Sequence, residues 1–197
     1  KNLDTEVVHA SSLTGMGELM KNGCTTCFDH HYVFPAGCGD LLGAQFAAAD
    51  ELGMRMVASR GSMDLSVKDG GLPPDSVVQS VDAILEDSAA LIERWHDPSY
   101  GSMRQITLAP CSPFSVSREL LLQSAKLARK YHVRLHTHLA ETKDEERYTL
   151  DRYGLRPLAY LESLGWVGPD VWFAHGIHFT DAELDLLAET GTGVAHC

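Results

Sequence analysis

Hydrophobic positions along this chain switch repeatedly between a helical spacing and the alternation of a strand, and the switches set out its elements. Residues 5–22 place Leu13, Met16, Leu19 and Met20 on one side of a helix that Asn22-Gly23 stops. Cys24 to Asp29 reads as a strand leading into His30-His31-Tyr32, and an alanine-rich helix over 39–52 ends with Gly53 at its C-cap. Met54 to Ser59 is the next strand, opening at Arg60-Gly61-Ser62 into a longer loop fixed by Gly70-Gly71-Leu72-Pro73-Pro74. Its length suggests a functional loop. Asp75 is expected to cap an amphipathic helix carrying Val78, Val81, Ile84, Leu85, Leu91, Ile92 and Trp95.

The second half repeats the theme. Ile106 to Ala109 forms a strand that ends at Pro110-Cys111-Ser112-Pro113, and Ser117 starts a helix through Leu121, Ala125, Leu127 and Ala128. Val133 and Leu135 alternate with polar neighbours in a strand that runs out through His136-Thr137-His138-Leu139-Ala140-Glu141. The charged run at 143–147 reads as an exposed helix, and Pro157 to Leu164 as another. Val171 to His175 is a strand, Thr180 and Glu183 have the form of a capping box, and Gly193 begins a further strand.

Strand and helix thus alternate in units of βαβ size, which implies a parallel sheet covered by helices, in a barrel or a doubly wound arrangement. No glycine-rich phosphate loop follows any strand, whereas polar and metal-competent residues end nearly all of them. That favours an α/β barrel of the (β/α)8 type, with its chemistry at the C-terminal mouth. Six strands do not close eight. Residues 1–197 are therefore expected to be the central part of one barrel domain, roughly strands 2 to 7, incomplete at both ends.

Composition narrows the partners. A net charge of −11 over 197 residues argues against nucleic acid or an anionic membrane, both of which need a basic face. No apolar run is long enough to span a bilayer, and five scattered cysteines suit a reducing cytoplasm. Cys24 and Cys27 have CxxC spacing with no answering pair, and they sit where cysteine behaves as a small hydrophobe. A small heterocyclic molecule is the expected partner, with homo-oligomerisation left open.

Two imidazoles and a carboxylate within six residues of a strand end suggest a metal ligand with an acid/base beside it. His138 projects into the mouth as the ligand, and Glu141 reaches over the same cavity to shuttle a proton of the bound water. His136 is read as a strand histidine satisfied by a backbone carbonyl. His175, at the end of the following strand, would polarise the metal-bound water or hydrogen-bond a developing oxyanion; His178 is left on the surface. Arg60 has two readings, a bidentate donor to a ring carbonyl or the partner of a loop carboxylate. His31 is expected to line the substrate pocket, and Tyr32 to pack. Cys111 as a covalent nucleophile lacks a base.

As a set, His138-Leu139-Ala140-Glu141, Ala174-His175-Gly176 and Gly193-Val194-Ala195-His196-Cys197 resemble the amidohydrolase superfamily, in its cytosine/guanine deaminase and chlorohydrolase branch. Ser59 to Met63, Gly71 to Pro74 and Ala109 to Val116 look most similar to 8-oxoguanine deaminases, with hydroxyatrazine-type aminohydrolases next. The resemblance implies one divalent metal ion, zinc first and iron as the alternative. It makes His138 a ligand, Glu141 the proton carrier to the ring nitrogen, and His175 the assistant of a metal-bound hydroxide. It also implies further ligands from an HxH motif and an aspartate, neither present here, and a pocket wall at Cys111, where many relatives carry histidine. The implied activity is hydrolytic deamination of an amino-substituted purine-like ring, 8-oxoguanine foremost. The alternatives are an s-triazine amino- or chlorohydrolase and a metal-free binding barrel.

Overall fold

The computed structural model describes residues 2–197. Among them six strands form one parallel sheet in the order of the sequence: β1 (Thr26–Asp29), β2 (Arg55–Ser62), β3 (Arg104–Pro110), β4 (Arg134–Leu139), β5 (Val171–His175) and β6 (Gly193–Ala195). A doubly wound sheet reverses its strand order at a switch point. This one never reverses, and that is the progression of a barrel wall. β1 and β6 each pair on one side only.

The helices are α1 (Thr5–Lys21), α2 (Leu41–Leu52), α3 (Val81–Trp95), α4 (Arg118–Tyr131), α5 (Lys143–Tyr153), α6 (Pro157–Glu162) and α7 (Asp181–Thr190). Local chemistry sets their ends. Asp4, Asp40, Ser117, Thr142 and Thr180 each accept a first-turn N–H through a side-chain oxygen. Gly53, Gly154 and Gly191 end α2, α5 and α7 with positive φ, where a side chain is strained.

Alternation sorts the strand residues onto two faces. Met56 and Ala58 of β2, Ile106 and Leu108 of β3, Leu135 and Leu139 of β4, and Val171 and Phe173 of β5 are buried in the main apolar core. Apart from Ala58, each such side chain contributes about 2 kcal/mol by leaving water. The other face carries Phe28 and His30 of the β1 segment, His136 and His138 of β4, and Trp172 of β5. There Phe28, His136 and Trp172 meet with ring centroids 4.7 to 5.0 Å apart. The interior of the curled sheet is thus aromatic and imidazole-rich rather than aliphatic.

Four local expectations are corrected. Asp75 sits in a short 3-10 turn, and α3 begins six residues later with Ser80 as its N-cap, leaving Val78 outside. On α1, Met16 is buried but Leu19 and Met20 are exposed, because Val8 and Met16 form the stripe that meets the core. β2 continues through Ser62, pairing Gly61 with Ala109 and Ser62 with Pro110, so Arg60 lies inside a strand rather than past its end. The charged helix α5 is not wholly exposed, since Glu145 and Thr149 are buried. No helix among the described residues is long and apolar enough to cross a membrane.

Candidate active site

The site forms where β4 and β5 end. Leu139 pairs with His175 in the last rung of the ladder, and the pairing is prolonged by two main-chain bonds beyond it. Gly176 donates its N–H to Leu139 O at 3.0 Å, and His178 donates to Ala140 O at 3.0 Å. The two loops therefore leave the sheet side by side. His175 stacks on His138 with centroids 5.3 Å apart, and its Nε2 lies 3.7 Å from Glu141 Oε2. The three residues expected to act together are adjacent.

The backbone at this junction is strained. Only three non-glycine residues among those described have positive φ: His132, Ala140 at 53° and His175 at 76°. His132 caps α4 at the far end of the sheet, while the other two flank Glu141. A left-handed conformation costs an alanine or histidine about 1 kcal/mol or more, so the surrounding bonds must hold it.

His138 is prepared on one side only. Its Nδ1 lies 2.7 Å from Cys111 O, and a carbonyl only accepts, so Nδ1 carries the hydrogen and Nε2 keeps its lone pair. A main-chain carbonyl behind an imidazole is the usual outer support of a metal-bound histidine. The thiol of Cys111 stands 3.9 Å from the same Nδ1, and burial pushes it up to about 11, so it stays protonated at neutral pH. A thiolate nucleophile is not available there.

One histidine was missed. His30 stacks on His138 with centroids 4.4 Å apart, and its Nε2 bonds Ala109 O at 3.0 Å, while its buried Nδ1 has no partner. Tyr32 meets both rings edge-on, at 5.3 and 5.9 Å. His136 is satisfied by Trp172 O at 3.0 Å, as expected of a strand histidine. Burial first, and the neighbouring imidazoles next, lower His30 to about 3 and His136 to about 2. Burial also lowers His138. The cluster is uncharged at neutral pH and keeps its lone pairs.

Two expected substrate contacts lie elsewhere. His31 follows His30, so alternation turns it to the helix side, where its Nε2 bonds Val33 O at 2.9 Å and its ring meets Phe34 at 4.9 Å. It lines a separate cavity of about 350 Å3 with Asp29 and Gln45. Arg60 is 1% exposed and also faces the helices. Its Nε bonds Asp87 at 2.5 Å, one terminal nitrogen bonds Gln79 at 2.8 Å, the other bonds Gly61 O, and the guanidinium lies 3.9 Å from the Phe34 ring. Arg60 does pair with a carboxylate, but the carboxylate belongs to α3 and not to a loop.

Beside Cys111, a cleft of about 440 Å3 opens between Tyr32, Met63, Leu72, Pro73 and Phe114. The Gly70–Pro74 loop forms one wall. At Gly71 a Cβ would fall 2.5 Å from Leu65 O, so only glycine lets the loop close on that carbonyl.

Among the described residues no group of three or more His, Cys, Asp or Glu is arranged to hold a metal ion. The chain does present one anchored imidazole with a free Nε2 beside a carboxylate. That donor fits as part of a divalent-cation site.

A parallel barrel sheet with imidazoles and a carboxylate gathered at the carboxyl ends of its strands defines the class of barrel that carries a polar site at its mouth. Residues 3–197 match the model of the Amidohydrolase family, and the chain belongs to that family. It is 51% identical to an 8-oxoguanine deaminase of Pseudomonas aeruginosa, over 99% of this chain and 43% of that protein. It is 44% identical to a hydroxydechloroatrazine ethylaminohydrolase of Pseudomonas sp., over 99% of this chain and 40% of that one. Among solved structures, an atrazine chlorohydrolase from Arthrobacter aurescens TC1, complexed with zinc, superposes with a TM-score of 0.92 at 33% identity, covering 98% of this chain and 43% of that one. The chain spans about two-fifths of the length of these relatives, and its strands are part of their type of barrel.

Proposed function

We propose that the protein containing this chain is a metal-dependent hydrolytic deaminase of an amino-substituted purine-like ring, with 8-oxoguanine, converted to urate and ammonia, as the leading substrate. One observation carries the reading: His175 lies against both His138, whose Nε2 is free, and Glu141 at the barrel mouth. The similarity to a named 8-oxoguanine deaminase supports the choice of ring.

His138 would be the ligand that this chain contributes to one divalent ion, zinc by analogy with the zinc-bound relative. When bound, such an ion acidifies water and so supplies a nucleophile at neutral pH. The chain's own residues do the rest. Glu141 takes a proton from the attacking water and delivers it to the ring nitrogen beside the amine-bearing carbon. The new carbon–oxygen bond forms as that nitrogen is protonated. The hydroxyl proton of the new C–OH group then moves to the amine, a carbonyl forms as the carbon–nitrogen bond breaks, and ammonia leaves. His175, within reach of Glu141, hydrogen-bonds the oxygen where charge develops. The five cysteines are free, which suits a cytoplasmic enzyme.

A second reading, an s-triazine amino- or chlorohydrolase, is favoured by the apolar cleft of Met63, Leu72 and Phe114, which suits an alkylamino substituent. Ammonia and chloride release by the full-length protein, over aminopurines, pterins and triazines, separates the two. Glu141→Gln is expected to lower turnover about 100-fold or more with the metal retained. Undiminished ammonia release by that variant would overturn the mechanism.

A further inference from the structure

Glu145 is the third residue of α5, in the sequence Thr142-Lys143-Asp144-Glu145, where a capping box would return its carboxylate to the N–H of Thr142. It goes elsewhere. Oε1 accepts the N–H of Ala140 at 2.9 Å and Oε2 accepts the N–H of Glu141 at 2.9 Å. The helix end is capped independently, by Thr142 Oγ1 accepting the N–H of Glu145 at 3.2 Å. We infer that Glu145 is a positioning residue, whose buried carboxylate fixes the main chain that aims Glu141 at the reacting atoms. The inference rests on the proposed proton-carrying role of Glu141.

The geometry is that of a clasp. The peptide between Leu139 and Ala140 is held at both ends, by Gly176 N–H on its carbonyl and by Glu145 Oε1 on its N–H. The peptide between Ala140 and Glu141 is held in the same way, by His178 N–H and by Glu145 Oε2. These two planes flank the left-handed Ala140 and set the direction in which Glu141 leaves the chain. With the carboxylate gone, each plane keeps only its carbonyl bond and is free to rotate about it. The loop that supplies those two N–H groups begins directly after His175, the last residue of β5, so the clasp fixes Glu141 relative to His175.

Stability is a poor reason for this residue. Glu145 is 1% exposed, and among the described residues no cation lies within ion-pair distance of it. Burying a carboxylate without a cation is unfavourable. What it provides, and a glutamine does not, is two acceptor oxygens at a fixed spacing.

The test uses the full-length protein with its metal, as wild type, Glu145→Gln, Glu145→Ala and Glu141→Gln. Glu145→Gln keeps one acceptor and is expected to lower kcat by about 10- to 100-fold, with KM within about twofold and metal content unchanged. Glu145→Ala is expected to be lower still. Hydrogen exchange on the wild type reads the clasp without relying on any variant: the amides of Ala140 and Glu141 are expected to be slow. Fast exchange of both would overturn the inference, as would unchanged kcat in a folded Glu145→Gln protein. So would a parallel loss of kcat, KM and metal, which marks a purely structural group. If Glu141→Gln keeps full turnover, it is the reading of Glu141 that fails, while the exchange result still judges the clasp.

Discussion

Replacing Arg60 with methionine separates a structural arginine from a substrate-reading one. The guanidinium is fully buried, so on general grounds breaking its ion pair would cost about 3–5 kcal/mol, the usual figure when a buried charge is left alone. Here the group left behind is Asp87, whose side chain is 46% exposed, and water recovers most of its solvation. The loss then comes from three smaller sources. The Gly61 carbonyl is buried and stays unsatisfied, at about 1 kcal/mol or more. Gln79 loses a charge-assisted partner, and the stack on Phe34 loses about 1 kcal/mol. Against these, methionine escapes the cost of burying a charge. A net destabilisation of about 2 kcal/mol follows. Urea unfolding of the full-length protein should show it as a lower midpoint at constant slope, with KM unchanged within about twofold. A KM raised tenfold or more, about 1.4 kcal/mol, with stability intact would refute the structural reading and return Arg60 to the substrate.

Three further outcomes follow from particular contacts. Gly61→Ala would set a Cβ 2.3 Å from His31 O and 2.6 Å from Tyr32 Cβ, where Gly61 N–H bonds that same carbonyl at 2.9 Å, so strand and loop must part; a loss of about 2–3 kcal/mol is expected in urea, and a neutral variant would contradict the approach. Burial raises the Glu145 carboxyl from 4.5 to about 7, against the main-chain N–H groups that hold it down. A raised acid favours the fold when protonated, so this contribution is complete below pH 4.5 and lost as pH climbs through about 7. Relative to Glu145→Gln, wild type should lose up to about 3 kcal/mol over that window, and a flat difference between the two proteins would refute it. Finally, residues 1–197 expressed alone leave β1 and β6 each with an unpaired side, and self-association is expected on a sizing column. A monomeric, cooperatively melting species would contradict this.

How much of the site could be read in the sequence depended on which force fixed each part. The barrel progression was legible because each strand–helix unit signals itself locally, through caps such as Ser117 and Thr180 and stops such as Gly53. The grouping of His138, Glu141 and His175 was legible too, since adjacent parallel strands that end together bring their loops together. What failed was phase. Extending β2 by three residues, to Ser62, placed Arg60 within the alternation and turned it outward. One position likewise separates His31, facing the helices, from His30, stacked on His138. In a period-two element a boundary error of one residue exchanges the faces, and no local signal in His30-His31-Tyr32 says where the strand's phase ends.

Glu145 was hidden for a different reason. It stands in Lys143-Asp144-Glu145-Glu146-Arg147, and a run of five charges reads as a solvated helix face. Its neighbours largely obey that reading: Lys143 pairs with Glu146, and Arg147 with Asp144, and all but the half-buried Glu146 are exposed. Composition therefore pointed the wrong way, while spacing pointed the right way, because Thr142 and Glu145 stand at the capping-box interval. Even that signal gives only the residue and not its target. A capping box predicts a bond to Thr142 N–H, whereas the carboxylate reaches back to Ala140 and Glu141 because the left-handed turn at Ala140 swings their N–H groups toward the start of α5. The turn in turn depends on Gly176 and His178, more than thirty residues away. A carboxylate whose partners are set by a strained turn, itself held by the next strand's loop, is defined only once both loops are in place.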